Sequence, residues 1–361
     1  LSSFNWMDFS KPAIAIPGFP PRLKPPSPGL KIAPDAVAFP ANRAGARVSH
    51  AYAFEPLMRS LYLSCPAFDM SGIKLVTVLN NLRKLIQIAA GVTVAPFRID
   101  LELMDDTLFM SRWASDLYST SSKGYGRGFE QACCEYTTDL AMSTSYHRVI
   151  RYDLGGLSCL VQFEADAYSC DCHGSEQSYL RAATLTSSIG GRFQPLLATS
   201  ERHEQSSEET DEDQTTVGTA ATSALGIYRI GSIIPSTCLV EIKSKEKKNI
   251  NSMDDTLAQL WLGQRTNLFT ATHSRGHFQE GRMESMGDMV TSWRKRNQDG
   301  LQRFVRLLER IDECIRMQKS TNGHSRAAMV YRPGDKGGEI ALFSRHDGER
   351  MLPNDLQAQI W

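Results

Sequence analysis

The sequence has no excess charge of either sign and no long apolar run. Lys and Arg together number 40, as do Asp and Glu, in 361 residues. A balance of zero excludes a chain that coats nucleic acid by charge alone, while leaving room for a local basic groove. No stretch reaches the roughly 18 consecutive apolar residues of a membrane span. The opening stretch, LSSFNWMDFSKPAIAIPGFPPRLKPP, lacks the basic-then-apolar order of a signal peptide. It also lacks an initial Met, as a fragment or a processed chain would. Eight cysteines are too few for a disulfide scaffold at this length. Cys65, Cys159, Cys238 and Cys314 sit in apolar runs, where reduced cysteine behaves as a small hydrophobe, so the expectation is an intracellular, reducing compartment. GYGRG is not followed by Gly-Lys-Ser/Thr and is no phosphate loop. CDCHG (Cys170, Cys172, His173) has no partner pair at zinc spacing. There is no internal repeat.

What is present is a core-forming chain, 41% hydrophobic, with mixed patterning. Residues 1–45 are proline-rich and predict an extended arm that contributes no helix and no central strand. Residues 46–361 read as a single domain. EPLMRSLYLSC and IKLVTVLNNLRKLIQIA have helical apolar spacing, although KLVTVL also suits the start of a strand. PFRIDLELMDDTLFMSRW and HRVIRYDLGGLSCLVQFEADAY predict hairpins turning at MDD and DLGG. GYGRGFEQACCEY runs from a turn into a helix. Residues 199–222 are polar, acidic and low in complexity, which predicts a disordered insertion. CLVEIKS is a buried strand. DDTLAQLWLGQRTNL predicts a helix capped by Asp254 or Asp255, followed by the strand LFTATHS. One long amphipathic helix is expected over 284–318, with Trp293, Leu301, Phe304, Leu308, Ile311 and Ile315 on one face. AAMVYRPGDKGGEIALFSR closes the chain as a hairpin. Hairpins mixed with helices predict the α+β class.

Two strands carry charges inside apolar surroundings. In VQFEADAY, Glu164 and Asp166 are two apart; in CLVEIKSK, Glu241 and Lys243 are two apart. Period-2 alternation puts each pair on one face. Buried charges are normally paired or bind a metal. If the strands are neighbours, three carboxylates and an ammonium converge, a set of hard oxygen donors suited to Mg²⁺ or Mn²⁺. An acid followed by Glu-x-Lys is the pattern of PD-(D/E)XK nucleases. The same tripeptides also occur on exposed strand faces, where alternation points charge outward.

Five stretches, in order over roughly residues 50–320, resemble the DXO/Rai family of decapping nucleases. VLNNLRKLIQIAAGVTVAPFRIDLELMDDTLFMSRW is similar to a family helix followed by a gTLFl strand. GYGRGFEQ resembles GYkFE, RYDLGGLSCLVQFEAD resembles R-T-x-L-G…G-E-V-D, and VEIKS resembles VELKT. LAQLWLGQRTNLFTATHSRGHF resembles Q-S-F-L-x-G-V-P-x-I-x-x-G-F-R. The sequence is similar, too, to fungal chains often named geranylgeranyl pyrophosphate synthases, a name its lack of a DDxxD motif does not support. The resemblance implies a mixed β-sheet core of PD-(D/E)XK nuclease type with flanking helices. It implies Glu130, Asp166, Glu241 and the Ile242 carbonyl as ligands of Mg²⁺ or Mn²⁺, with Glu135 an alternative to Glu130. Lys243, Gln259 and Glu164 would serve catalysis. The implied substrate is an RNA 5′ end with an incomplete or non-standard cap, NAD caps included, in the nucleus or cytoplasm and away from membranes. A 5′-to-3′ exoribonuclease is an implied partner.

The sequence also departs from the family pattern. Phe163 stands at the family glycine before the first acid, Gln264–Thr266 replaces G-V-P, and Tyr152 follows Arg151 in the hairpin. These changes keep open a catalytically silent binding or assembly module. A DNA-directed nuclease of the same superfamily is a third reading. Arg151, Lys245 and Lys247 are candidate RNA contacts, although a run such as KSKEKK is more often a solvated strand end. SWRKRNQ around Trp293 either grips a strand or anchors a helix in the core.

Overall fold

Strands covered on both sides dominate the architecture. A computed structural model describes residues 1–35, 51–113, 124–170, 225–246, 253–334, 338–346, 348 and 350–361. The strands are β1 (Ser2–Met7), β2 (Ala13–Gly18), β3 (Arg22–Leu23), β4 (Leu75–Val78), β5 (Phe97–Met104), β6 (Thr107–Arg112), β7 (Cys134–Glu135), β8 (Ser143–Leu154), β9 (Leu157–Glu164), β10 (Ala167–Tyr168), β11 (Gly226–Gly231), β12 (Leu239–Glu246), β13 (Asn267–Ser274), β14 (His277–Phe278), β15 (Arg282–Ser285), β16 (Arg326–Arg332) and β17 (Glu339–Ser344). The helices are α1 (Glu55–Ser64), α2 (Leu79–Ala89), α3 (Gly126–Ala132), α4 (Asp254–Leu262), α5 (Gly287–Arg296), α6 (Gln298–Asn322) and α7 (Asn354–Ile360). The fold is mixed α+β, as the patterning predicts.

Among the described residues, ten strands form one sheet in the order β11-β2-β1-β8-β9-β4-β6-β5-β16-β17. A smaller sheet runs β14-β13-β12-β10-β3-β7, with β15 also paired to β13. The middle of the large sheet is buried on both faces. Cys159, Val161 and Phe163 of β9 enter a core shared with α2, α4, α5 and α6. Leu160, pointing the other way, joins α1 and the C-terminal segment around Met351, Leu352 and Leu356. That two-sided burial explains why LSCLVQF reads as an almost unbroken apolar run rather than an alternating one. The β8–β9 hairpin turns at Gly155 and Gly156, both at positive φ (57° and 97°), with Leu154 facing Leu157. Two left-handed residues are what a tight hairpin turn of matching twist requires.

Four expectations need correction. The segment expected to be an arm without central strands supplies one: β1 lies inside the large sheet, between β2 and β8. The proline content averaged over 45 residues hides two buried six-residue strands, and SSFNWM precedes the first proline, Pro12. The helix expected over 284–318 is two, α5 and α6, because Asn297 leaves the helical path (φ −103°, ψ 18°) and its amide bonds the Trp293 carbonyl at 2.9 Å. No aspartate caps α4; the position before it is Met253, and Asp255 instead bonds Arg83 and Gln87 of α2. Finally, it is the end of VQFEADAY, β10, that neighbours β12, while β9 belongs to the other sheet. The insertion expected at 199–222 lies outside the described residues.

Candidate active site

The chain of β9 leaves the large sheet at Glu164, passes Ala165 and Asp166, and enters the small sheet as β10. There Ala167 pairs with Val240 of β12, antiparallel. The crossing carries Asp166 to β12, where its Oδ2 accepts the Ile242 N–H at 2.7 Å. The two acidic stretches therefore meet through a change of sheet and not through direct pairing of β9 with β12.

Alternation on β12 decides where its charges go. Val240 and Ile242 fill the core of the small sheet with Phe129, Phe269 and Phe278. Glu241 and Lys243 must face the other way, toward α4. Glu241 is 1% exposed. Its Oε1 takes the Lys243 ammonium at 2.5 Å and the Gln259 amide of α4 at 2.7 Å. Leu257, Ala258 and Leu260 bury the flanks of α4, and Asp255 ties it to Arg83, so Gln259 is held in place.

Glu130 arrives from α3. Phe129 stacks on Phe278 with ring centroids 4.3 Å apart, fixing that helix against the small sheet. The Asp35 carboxylate accepts the N–H groups of Arg127 and Gly128 at 3.2 and 3.0 Å, so the first turn already has an anion. Glu135, the alternative, is exposed and pairs with Lys24 at 3.1 Å. Glu164 is exposed at the end of β9. Of the weaker candidates, Lys245 lies against the Met253 sulfur at 3.2 Å. Arg151 is exposed on β8 and bonds Ser158, four residues along the strand from the His147 that faces Glu164. Lys247, Cys172 and His173 lie outside the described residues. Trp293 is buried against Trp261, a core anchor.

Arg265 is the residue whose importance the sequence hides. α4 ends at Gly263, Gln264 takes a left-handed φ of 50°, and the chain turns Arg265 inward to 2% exposure. Its Nη2 lies 2.5 Å from Glu241 Oε2, and its guanidinium sits over the Phe163 ring, 4.8 Å from the centroid. Nη1 reaches the Glu164 carbonyl oxygen at 3.4 Å. The N–H directions miss Oε2, which has an ion-pair partner but no hydrogen-bond donor. Only the apolar setting of LGQRTN could have signalled a buried cation.

Electrostatics divide these carboxyls. Burial, then the charges of Glu164 and Glu241, push the Glu130 carboxyl up to about 7. Burial, then Glu241 and Glu130, drive Asp166 well above the usual carboxylate range. Burial also opposes ionisation of Glu241, but Arg265 and then Lys243 outweigh it and hold Glu241 below its ordinary value. Burial would discharge Lys243; Glu241 and then Asp166 overcome it and keep the ammonium charged.

Among the described residues, no three His, Cys, Asp or Glu side chains are drawn together closely enough to hold a metal ion as they stand. The donor chemistry nevertheless fits a divalent cation. Burial and the charge of neighbouring carboxylates keep Glu130 and Asp166 from ionising, and the buried Gln259 Oε1 has no hydrogen-bond partner. An unfilled oxygen acceptor beside reluctant carboxyls is what a hard cation satisfies.

The sequence matches, over residues 1–361, the family described as "Domain of unknown function (DUF8563)". No curated protein matches it. Among solved structures, Rai1 of S. pombe in complex with 3′-FADP is similar, with a TM-score of 0.55 and 12% identity over 96% of this chain and 92% of that one. Rai1 of Candida albicans in complex with pU5-Mn²⁺ has a TM-score of 0.52 and 10% identity, covering 88% and 82%. Rai1 of Scheffersomyces stipitis with 3′-NADP⁺ and a calcium ion has a TM-score of 0.52 and 10% identity, covering 85% and 80%. The likeness shows the fold, and it is the fold implied by the sequence motifs.

Proposed function

The chain belongs to the DUF8563 family, and from its fold and the groups gathered at the sheet crossing we propose that it is a metal-dependent hydrolase of RNA 5′ ends. The observation that carries this reading is the meeting of Glu130, Asp166, Glu241, Lys243 and Gln259 where β9 crosses to β10. The residues proposed to hold Mg²⁺ or Mn²⁺ are Glu130, Asp166, Glu241 and the Ile242 carbonyl. When bound, the ion supplies Lewis acidity toward water and the scissile phosphate. Lys243, kept charged by its carboxylate neighbours, offsets negative charge as it builds on the phosphate. The Gln259 amide orients Glu241. Exposed Glu164 is placed to accept a proton from an attacking water. That the neighbour from C. albicans was solved with pU5 and Mn²⁺ supports an RNA substrate and a divalent ion here. Association with a 5′-to-3′ exoribonuclease, implied by the same resemblance, rests on no surface identified among the described residues.

One observation favours a second reading, a non-catalytic module: Arg265 already neutralises Glu241. The test is digestion, with Mn²⁺, of RNAs bearing a triphosphate, an unmethylated cap, an NAD cap or a monophosphate, beside matched DNA. The double variant Asp166→Ala, Glu241→Ala is the control. Cleavage of one RNA end, lost in the variant, is expected. Absence of cleavage together with absence of Mn²⁺ binding would leave the module reading.

A further inference from the structure

Arg265 is an internal cation against Glu241, one of the residues proposed above to hold a metal ion. It is 2% exposed and is paired with Glu241 through the Oε2 contact of 2.5 Å. The fold makes room for it. A Cβ at Gly263 would come within 3.0 Å of the Arg265 Nε, and the Phe163 ring forms a floor under the guanidinium. Phe163 and Arg265, both departures from the family pattern, thus meet face to face. Withdrawing Glu241 from Arg265 would leave a buried guanidinium without a counter-ion, which is strongly unfavourable.

The contacts of Glu241 point the same way. Its Oε1 takes Lys243 and Gln259, and Arg265 stands at Oε2, the oxygen that a second ion would need. We propose that Arg265 takes the place of one divalent cation, so that the site holds a single ion, seated toward Glu130 and Asp166. This rests on the metal-dependent reading above and deepens it.

The experiment is calorimetric titration of the full chain with Mn²⁺, for wild type, Arg265→Gln and Arg265→Leu, each checked for folding by circular dichroism. One ion per chain is expected in the wild type. Two are expected once the guanidinium is gone, because Glu241 Oε2 is then free to bridge. The Gln variant keeps a donor for Glu241 and is the one more apt to fold. If neither variant folds, electron paramagnetic resonance of Mn²⁺ on the wild type decides. An isolated-ion spectrum supports the proposal, and a spin-coupled pair overturns it. Two ions in the wild type overturn the proposal and leave the hydrolase reading standing. A folded variant that still binds one ion with unchanged affinity also overturns it. No ion in any of the three overturns both.

Discussion

At the scale of single residues, the site is a contest between burial and charge. Glu241 wins its ionisation because Arg265 and Lys243 touch it; Glu130 does not, and its carboxyl is pushed up to about 7 from an ordinary 4.5. In metal-free protein the folded state therefore holds the Glu130 proton more tightly than the unfolded chain does. Stability from this group is present at low pH and is lost as pH rises from about 4.5 through 7. Glu130→Gln removes the penalty. Its gain over wild type in chelator should be near zero at pH 4.5 and grow to at most about 3 kcal/mol by pH 8, read from urea unfolding. A difference flat with pH would refute the assignment. Much of this was legible in the sequence, because carboxylates and a lysine inside VQFEADAY and CLVEIKSK have few reasons to be there. Arg265 was not. Its burial is imposed by the reversal at Gly263 and Gln264, and its partner Glu241 is 24 positions earlier in the chain.

At the scale of elements, strands and hairpins were readable and their partners were not. The turns at Asp105–Asp106 and Gly155–Gly156 announce themselves, since few residue types suit such sharp reversals. No local signal says that β9 changes sheet at Ala165, because apolar runs look alike whichever sheet they join. The break between α5 and α6 turns on one side chain, Asn297, within otherwise continuous helical spacing. A tighter constraint lies where β2 and β11 end together. Gly231 has φ +91°, and a Cβ there would stand 2.2 Å from the Gly18 carbonyl oxygen. Gly231→Ala should therefore cost about 2–4 kcal/mol, through strain and displacement of the strand pair. Thermal unfolding measures it, and a midpoint within a degree of wild type would show that the strands part easily.

At the scale of the whole molecule, remote segments complete one another. Glu102 of β5 is 1% exposed and accepts the Met351 N–H at 2.8 Å and Arg350 Nε at 3.1 Å. Arg59 of α1 reaches Asp355 of α7 at 2.6 Å. Glu102→Ala leaves a buried N–H without an acceptor, worth about 1–3 kcal/mol. Amide exchange over residues 351–361 should quicken about tenfold, while the β8–β9 hairpin keeps its protection. Equal acceleration in both would mean that the C-terminal segment is not a separable unit. Such closures are invisible to local patterning, which is why residues 1–45 read as an arm. The place of β1 has a further consequence, in time. The strand pairs with β2 on one side and on the other with β8, which begins 136 residues after β1 ends. At about 5–20 residues per second, translation leaves the nascent hairpin with a bare edge for roughly 7–27 seconds. An unsatisfied row of amides and carbonyls is a template for wrong partners. This chain therefore asks its ribosome-associated chaperones to shield the β1–β2 pair until the interior of its sheet has been made.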